Sequence, residues 1–260
     1  MRWCRFILEG RPSFGIVEND SVIPVDGSPF GNFAKHKKSV SLESLALLVP
    51  VLPQTFYAAG TNYMDHVERM AEMTGKSINP PKAADIGYRA NNALIGHEEA
   101  IVIPKDASEK VQYEGELVVV IGKPAKDVAP ESVDEYIFGY TIGNDVSERT
   151  WQADDRTLWR AKNADTFKPM GPWIDTDVDI NVMDTIVRVN GEEVQNFKTN
   201  NMIFDIPTYI SRMSQYMTLH PGDVIWMGTD GVGTNIKSGD VVEVELTGIG
   251  VLRNPVVAAG

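Results

Sequence analysis

The sequence predicts a β-rich α+β fold, and three observations carry that prediction. Asn190-Gly191 follows the extended run 186–189, and this dipeptide suits a two-residue type I′ hairpin because both positions need positive φ. Val242, Val244 and Leu246 alternate with Glu243 and Glu245, the period-two signature of a strand with one wet face. One stretch alone sustains a helical period: Ile206, Tyr209, Ile210, Met213 and Met217, with Pro207 acceptable in the first turn.

Taken in order, residues 3–8, 14–17 and 21–25 read as short extended runs split by Gly-Arg-Pro and Asn-Asp. With a helical turn near 42–48 they form a small β-rich cap over 1–52. Pro50 and Pro53 mark a boundary, and a strand over 55–60 opens the main domain, 53–260. Residues 60–73 read as a short helix entered from that strand. Gly75 and a polar loop with Pro80 and Pro81 follow, so few anchors are expected and the helix reads as a mobile lid.

A chain of 260 residues with 43% hydrophobic content can bury a substantial core. The net charge of −12 argues against nucleic acid and anionic membrane surfaces, which attract basic patches. Cys4 is the single cysteine and forms no internal disulfide, and no run approaches the roughly 20 apolar residues that span a bilayer. A cytoplasmic location is expected, since the start Met1-Arg2-Trp3-Cys4-Arg5 lacks the apolar core of a signal peptide.

Glu114 and Glu116 stand two apart at the head of the apolar run 117–121, so on a strand both carboxylates point to one face. Desolvated like charges need a cation or raised pKa values. Asp145 closes a second β-rich stretch, 138–144. Three carboxylates without a His or Cys pattern suit a hard divalent ion, Mg²⁺ or Mn²⁺ with Ca²⁺ as a third option, and disfavour zinc. Three carboxylates and one divalent ion leave a net negative site, so an anionic substrate needs local positive charge. Arg149 and Gln152, one helical turn apart, and Lys162 are the nearest candidates in sequence; on the lid, His66 shares a face with Arg69 and Met70. The glycine-rich 227–233 has neither a following helix pattern nor a Walker lysine, which leaves a small anion nest.

Together these segments resemble a known family. Tyr113-Glu114-Gly115-Glu116-Leu117, Gly139-Tyr140-Thr141-Ile142-Gly143-Asn144-Asp145-Val146-Ser147 and Asp165-Thr166-Phe167-Lys168-Pro169-Met170-Gly171-Pro172 are similar, in order and spacing, to motifs of the fumarylacetoacetate hydrolase family. Val189-Asn190-Gly191 and Pro221-Gly222-Asp223-Val224-Ile225, followed by Gly228-Thr229, extend the resemblance over about 54–250. It implies a mixed β-sandwich roll with a small N-terminal β cap, as in the bacterial branch of acylpyruvases and 2-hydroxyhepta-2,4-diene-1,7-dioate isomerases, and a homodimer. It implies that Glu114, Glu116 and Asp145 hold Mg²⁺ or Mn²⁺, that Arg149, Gln152, Lys162 and Thr229 contact substrate, and that His66 and Lys162 are catalytic.

The implied activity is enolate chemistry on a small 2-oxo or 2-enol carboxylate. Hydrolytic C–C cleavage of an acylpyruvate-type substrate stands first. Isomerisation of a 2-hydroxy-diene-dioate or decarboxylation of oxaloacetate follows, and a non-catalytic metal-binding protein is the remote alternative. The chain departs from the hydrolytic pattern at one point: where those relatives carry His-x-x-Glu on the lid, it reads His66-Val67-Glu68-Arg69, so another acid must orient the histidine. Arg89 stands where a lysine is frequent, which keeps the charge and changes its geometry.

Overall fold

The computed structural model describes residues 1–75 and 77–260, with positions 73 and 74 described through the backbone alone. Among these residues a thirteen-stranded sheet has a spine of ten strands: Phe33–Lys35, Ser21–Gly27, Arg11–Glu18, Arg2–Leu8, Lys168–Asp175, Ile137–Asn144, Gly115–Ile121, Val224–Trp226, Phe56–Ala59 and Ile86–Tyr88. Most neighbours run antiparallel, while Val224–Trp226 and Phe56–Ala59 are parallel, so the sheet is mixed. A five-stranded sheet orders Ile101–Ile103, Gly250–Ala258, Val241–Leu246, Asp184–Val189 and Glu192–Lys198. The hairpin between the last two turns at Asn190 and Gly191, both at positive φ, as the dipeptide requires.

The strand Gly115–Ile121 is buried along its whole length because both faces are covered. Leu117, Val119 and Ile121 join Val187, Val242 and Val244 in the core between the sheets. Val118 and Val120 turn the other way, toward Trp3, Met170 and Trp226. A Cβ at position 115 would lie 2.8 Å from Val187 and 3.0 Å from Val244, so glycine there lets the second sheet close over the strand at the level of the two glutamates.

The N-terminal strands continue the main sheet: Arg2 and Trp3 pair with Asp175 and Ile174. The helical turn expected over 42–48 is limited to a 3₁₀ turn, Leu42–Ser44. Leu47 and Leu48 instead extend against Phe6 and Arg5, since pairing to the edge of Arg2–Leu8 satisfies backbone that a two-residue remnant of helix would leave open. Helix Ile206–Tyr216 forms where the period placed it, capped by the Asp205 side chain on the Thr208 N–H at 2.9 Å and buried through Ile206, Tyr209, Ile210 and Met213. No helix among the described residues is long and apolar enough to cross a membrane.

Candidate active site

Antiparallel register assembles the acids. Gly115 pairs with Asn144 and Glu116 with Gly143, so the head of one strand lies against the tail of the other. The Asp145 N–H then donates to the Glu114 carbonyl at 2.8 Å. Glu114 and Glu116 project to one face, and ligand oxygens of Glu114, Glu116 and Asp145 all lie within 4.8 Å of one another. The three side chains are buried, with residue exposures of 6%, 3% and 1%.

Four cations surround them. Lys162 Nζ donates to Glu114 Oε2 at 2.6 Å and to Asp145 Oδ2 at 3.0 Å. Arg149 Nη2 pairs with Glu114 Oε1 at 2.7 Å, and its Nε and Nη1 are held by Gln112 and Gln152. Arg89 takes Asp145 through Nε at 3.3 Å and Nη2 at 2.8 Å. Lys168, wholly buried, donates to Asp145 Oδ1 at 2.6 Å and to the Val146 and Phe167 carbonyls at 2.8 Å. Four cationic groups face three carboxylates before any metal ion is counted. Burial lowers Lys168 to about 7, and the three other cations, Lys162 and Arg149 among them as expected, let an acidic protein hold an anion.

Burial and charge divide the acids. Burial works to raise Glu114, but Lys162 and Arg149 outweigh it and hold the carboxyl below its usual value. Asp145 is held well below its usual value in the same way, by Arg89, Lys162 and Lys168 against burial. Glu116 accepts the Gly228 N–H at 2.9 Å and has no ion-pair partner among the described residues, so burial, then Asp145 and Glu114, push it up to about 8. A buried acid short of positive charge, in an all-oxygen donor set, fits a hard divalent cation. Thr229 supports the fit: its Oγ1 is buried on the wall of the same cavity without a hydrogen-bond partner among the described residues.

That cavity, of about 310 Å³, carries His66, Arg89, Gln152, Lys162 and Thr229 beside the three acids. Arg149 reaches the acids from behind Gln152, through Glu114. The structure thus brings together all the residues singled out from sequence. Lys168 was quoted within a motif and given no role. Its signal is a lysine heading the apolar run 169–174 of the strand Lys168–Asp175, where an unpaired ammonium is too costly to bury. Replacing Lys168 with Met removes one of three cations on Asp145 and leaves Arg89 and Lys162 in place, so denaturant titration is expected to read a loss of about 1 to 3 kcal/mol of stability.

The lid helix spans Met64–Thr74 and ends at Gly75 in the left-handed region. Its entry is fixed, contrary to the few anchors expected. Asn62 Nδ2 donates to the Phe204 and Met227 carbonyls at 3.1 Å, and the Tyr63 hydroxyl donates to the Thr199 carbonyl at 2.6 Å. Arg69 turns to Asp65 at 2.8 Å and Glu72 stays exposed, so neither orients the histidine. His66 Nδ1 instead meets the Gly231 carbonyl. A carbonyl can only accept, so Nδ1 carries a proton, and in the neutral ring Nε2 is the acceptor; the ring lines the cavity.

Comparison with known proteins agrees with this architecture. Residues 55–257 match the family model described as Fumarylacetoacetate (FAA) hydrolase C-terminal, and residues 1–50 match one described as Rv2993c-like, N-terminal. The crystal structure of 5-carboxymethyl-2-hydroxymuconate delta-isomerase from Mycobacterium smegmatis superposes with a TM-score of 0.90 at 39% identity, covering all of both chains. The mitochondrial oxaloacetate tautomerase FAHD2A of Homo sapiens is 34% identical over 92% of this chain and 82% of its own. Maleylpyruvate hydrolase from Sphingobium sp. SYK-6, solved with manganese(II) and pyruvate, is 26% identical with a TM-score of 0.80, covering all of both chains.

Proposed function

The chain belongs to the fumarylacetoacetate hydrolase family of enzymes, and from that premise we propose that it moves a proton on a small 2-oxo or 2-enol carboxylate, as a tautomerase or isomerase. The observation that carries this reading is the His66 ring, tied at Nδ1 to a neutral backbone carbonyl rather than to a carboxylate. A carboxylate partner stabilises the imidazolium formed when histidine deprotonates water. A carbonyl partner does so less, and such a ring suits a proton already acidified beside a polarised carbonyl.

In that step His66 Nε2 takes the proton from C3 of the substrate. The C–H electron pair becomes the C2–C3 double bond, and the carbonyl pair moves onto the C2 oxygen. Returning the proton to that oxygen gives the enol, and returning it to a more distant carbon of a conjugated acid gives the isomer. A divalent cation held by Glu114, Glu116 and Asp145, Mg²⁺ or Mn²⁺ by its donor set with Ca²⁺ third, supplies positive charge where the oxygen's negative charge gathers. Lys162 neutralises the substrate carboxylate, with Gln152 and the unpartnered Thr229 hydroxyl as orienting contacts and Arg149 acting through both Gln152 and Glu114. A second copy of the chain is the proposed partner. The relatives at 34% and 39% identity carry tautomerase and isomerase names, and the hydrolase is the more distant, which supports the same ranking.

Hydrolytic C–C cleavage, first on the sequence, stands second here. It keeps one observation in its favour: the cavity adjoins a larger space of about 620 Å³ under the lid, with room for water beside a substrate. Oxaloacetate, a 2-hydroxy-diene-dioate and an acylpyruvate, each assayed with Mg²⁺ and Mn²⁺, separate the readings. Keto–enol or double-bond migration is expected to be the fastest turnover; faster acylpyruvate cleavage would replace this reading with the hydrolytic one. Lys162→Met is expected to lower turnover of the best substrate roughly 50-fold or more. A wild-type rate in that variant removes Lys162 from the site's chemistry.

A further inference from the structure

We propose that Asp230 is a positioning residue for His66, holding the Gly231 carbonyl and the first turn of the lid helix so that the ring keeps its proton on Nδ1; this rests on the reading of His66 as proton carrier. Helix Met64–Thr74 follows Tyr63, whose side chain offers no cap, so its first N–H groups need acceptors from elsewhere. Asp230, 6% exposed, accepts the Gly231 N–H at 2.9 Å; burial raises its carboxyl, and the Gly231 and His66 backbone N–H groups act against that rise. An anion there also meets the positive end of the helix.

The next residue completes the clasp. Gly231 sits at φ +67 and aims its carbonyl at His66 Nδ1. Gln195, on the strand Glu192–Lys198, donates through Nε2 to the Asp230 carbonyl and braces the loop from the far side. A Cβ at position 231 would lie 3.1 Å from that amide nitrogen, so the brace is close. Arg69, at the lid position where hydrolytic relatives carry an acid, faces the same crevice but is engaged with Asp65. The acid that the helix lacks is thus contributed by a loop and acts through one peptide unit.

The test reads the ring directly. In the metal-free protein, nitrogen-15 imidazole spectra, with His66 assigned by the signals lost in His66→Gln, are expected to show the Nδ1–H tautomer. Asp230→Ala is expected to drift toward a tautomer mixture and to lower kcat about tenfold with KM within about twofold. Asp230→Asn, which keeps an oxygen acceptor, is expected to recover most of the tautomer bias. An Nε2–H tautomer in the wild type, or an unchanged ring in Asp230→Ala, overturns the proposal, as does a fall in kcat with the ring unaltered. Should Asp230→Ala not fold, Gln195→Ala is expected to show the same drift, and an unaltered ring there overturns it equally. Wild-type proton transfer in His66→Ala sinks the functional reading alone, because the tautomer drift still reports the positioning.

Discussion

Glu116→Ala is expected to abolish divalent cation binding and to lower turnover by about a thousandfold or more, the largest effect of any single change in the site. Glu114 and Asp145 are each engaged by two or more cations, whereas Glu116 has one backbone N–H. Glu116 is therefore the acid whose charge a metal ion must complete. With its carboxyl near 8, raised first by burial, cation binding below that pH displaces a proton, and affinity weakens as pH falls. The sign for stability is the reverse. A carboxyl raised above its unfolded value of 4.5 favours the neutral form in the fold, so in the metal-free protein its contribution is full below 4.5 and is lost as pH rises through 8. Calorimetry at pH 6.5 in buffers of different ionisation enthalpy is expected to record proton release on Mn²⁺ binding. Undiminished Mn²⁺ binding by Glu116→Ala, or no proton release by the wild type, sinks the assignment.

What the sequence made legible was local or periodic. Asn190-Gly191 announces its turn because backbone sterics restrict which residues take positive φ, and Ile206, Tyr209, Ile210 and Met213 announce a helix because one buried face imposes the period. Glu114 and Glu116 announce a shared face by spacing alone. Their meeting with Asp145 depends on the register between Gly115–Ile121 and Ile137–Asn144, a long-range choice set by core packing that no short window encodes. For the same reason part of the site's positive charge stayed out of view. Arg89 and Lys168 are distant in sequence from Glu114, and only folding places them on Asp145. The 42–48 segment misled because Leu47 and Leu48 take their structure from pairing with Arg5 and Phe6, not from their own propensity. Asp230 was hidden for a related reason. Its proposed role is toward the start of a helix more than 150 residues earlier, and partners of a helix start are recognised in sequence only when they are adjacent.

His66→Ala separates the reactions that a metal-stabilised enolate permits. Tautomerisation and isomerisation need a base to carry the proton between carbon and its destination, so removing the ring is expected to slow them about 100-fold or more. Decarboxylation of oxaloacetate needs no base, because the C3–C4 bond breaks as carbon dioxide leaves, its electron pair stays on the polarised keto acid as the enolate of pyruvate, and water protonates that enolate at C3. That activity depends on the charges around Glu114 and Asp145, which the substitution leaves in place, so it is expected to stay within about threefold of wild type. Hydrolysis, which requires an activated water, should fall with the proton transfers. Measured together in one variant with unchanged Mn²⁺ affinity, the three rates decide the role. Equal retention of all three takes His66 out of the mechanism, and loss of decarboxylation along with the others assigns the ring to holding substrate rather than moving its proton. The expected split rests on the ring's two nitrogens: with Nδ1 donating to the Gly231 carbonyl, Nε2 is the one left to take a proton, on a ring that lines the cavity.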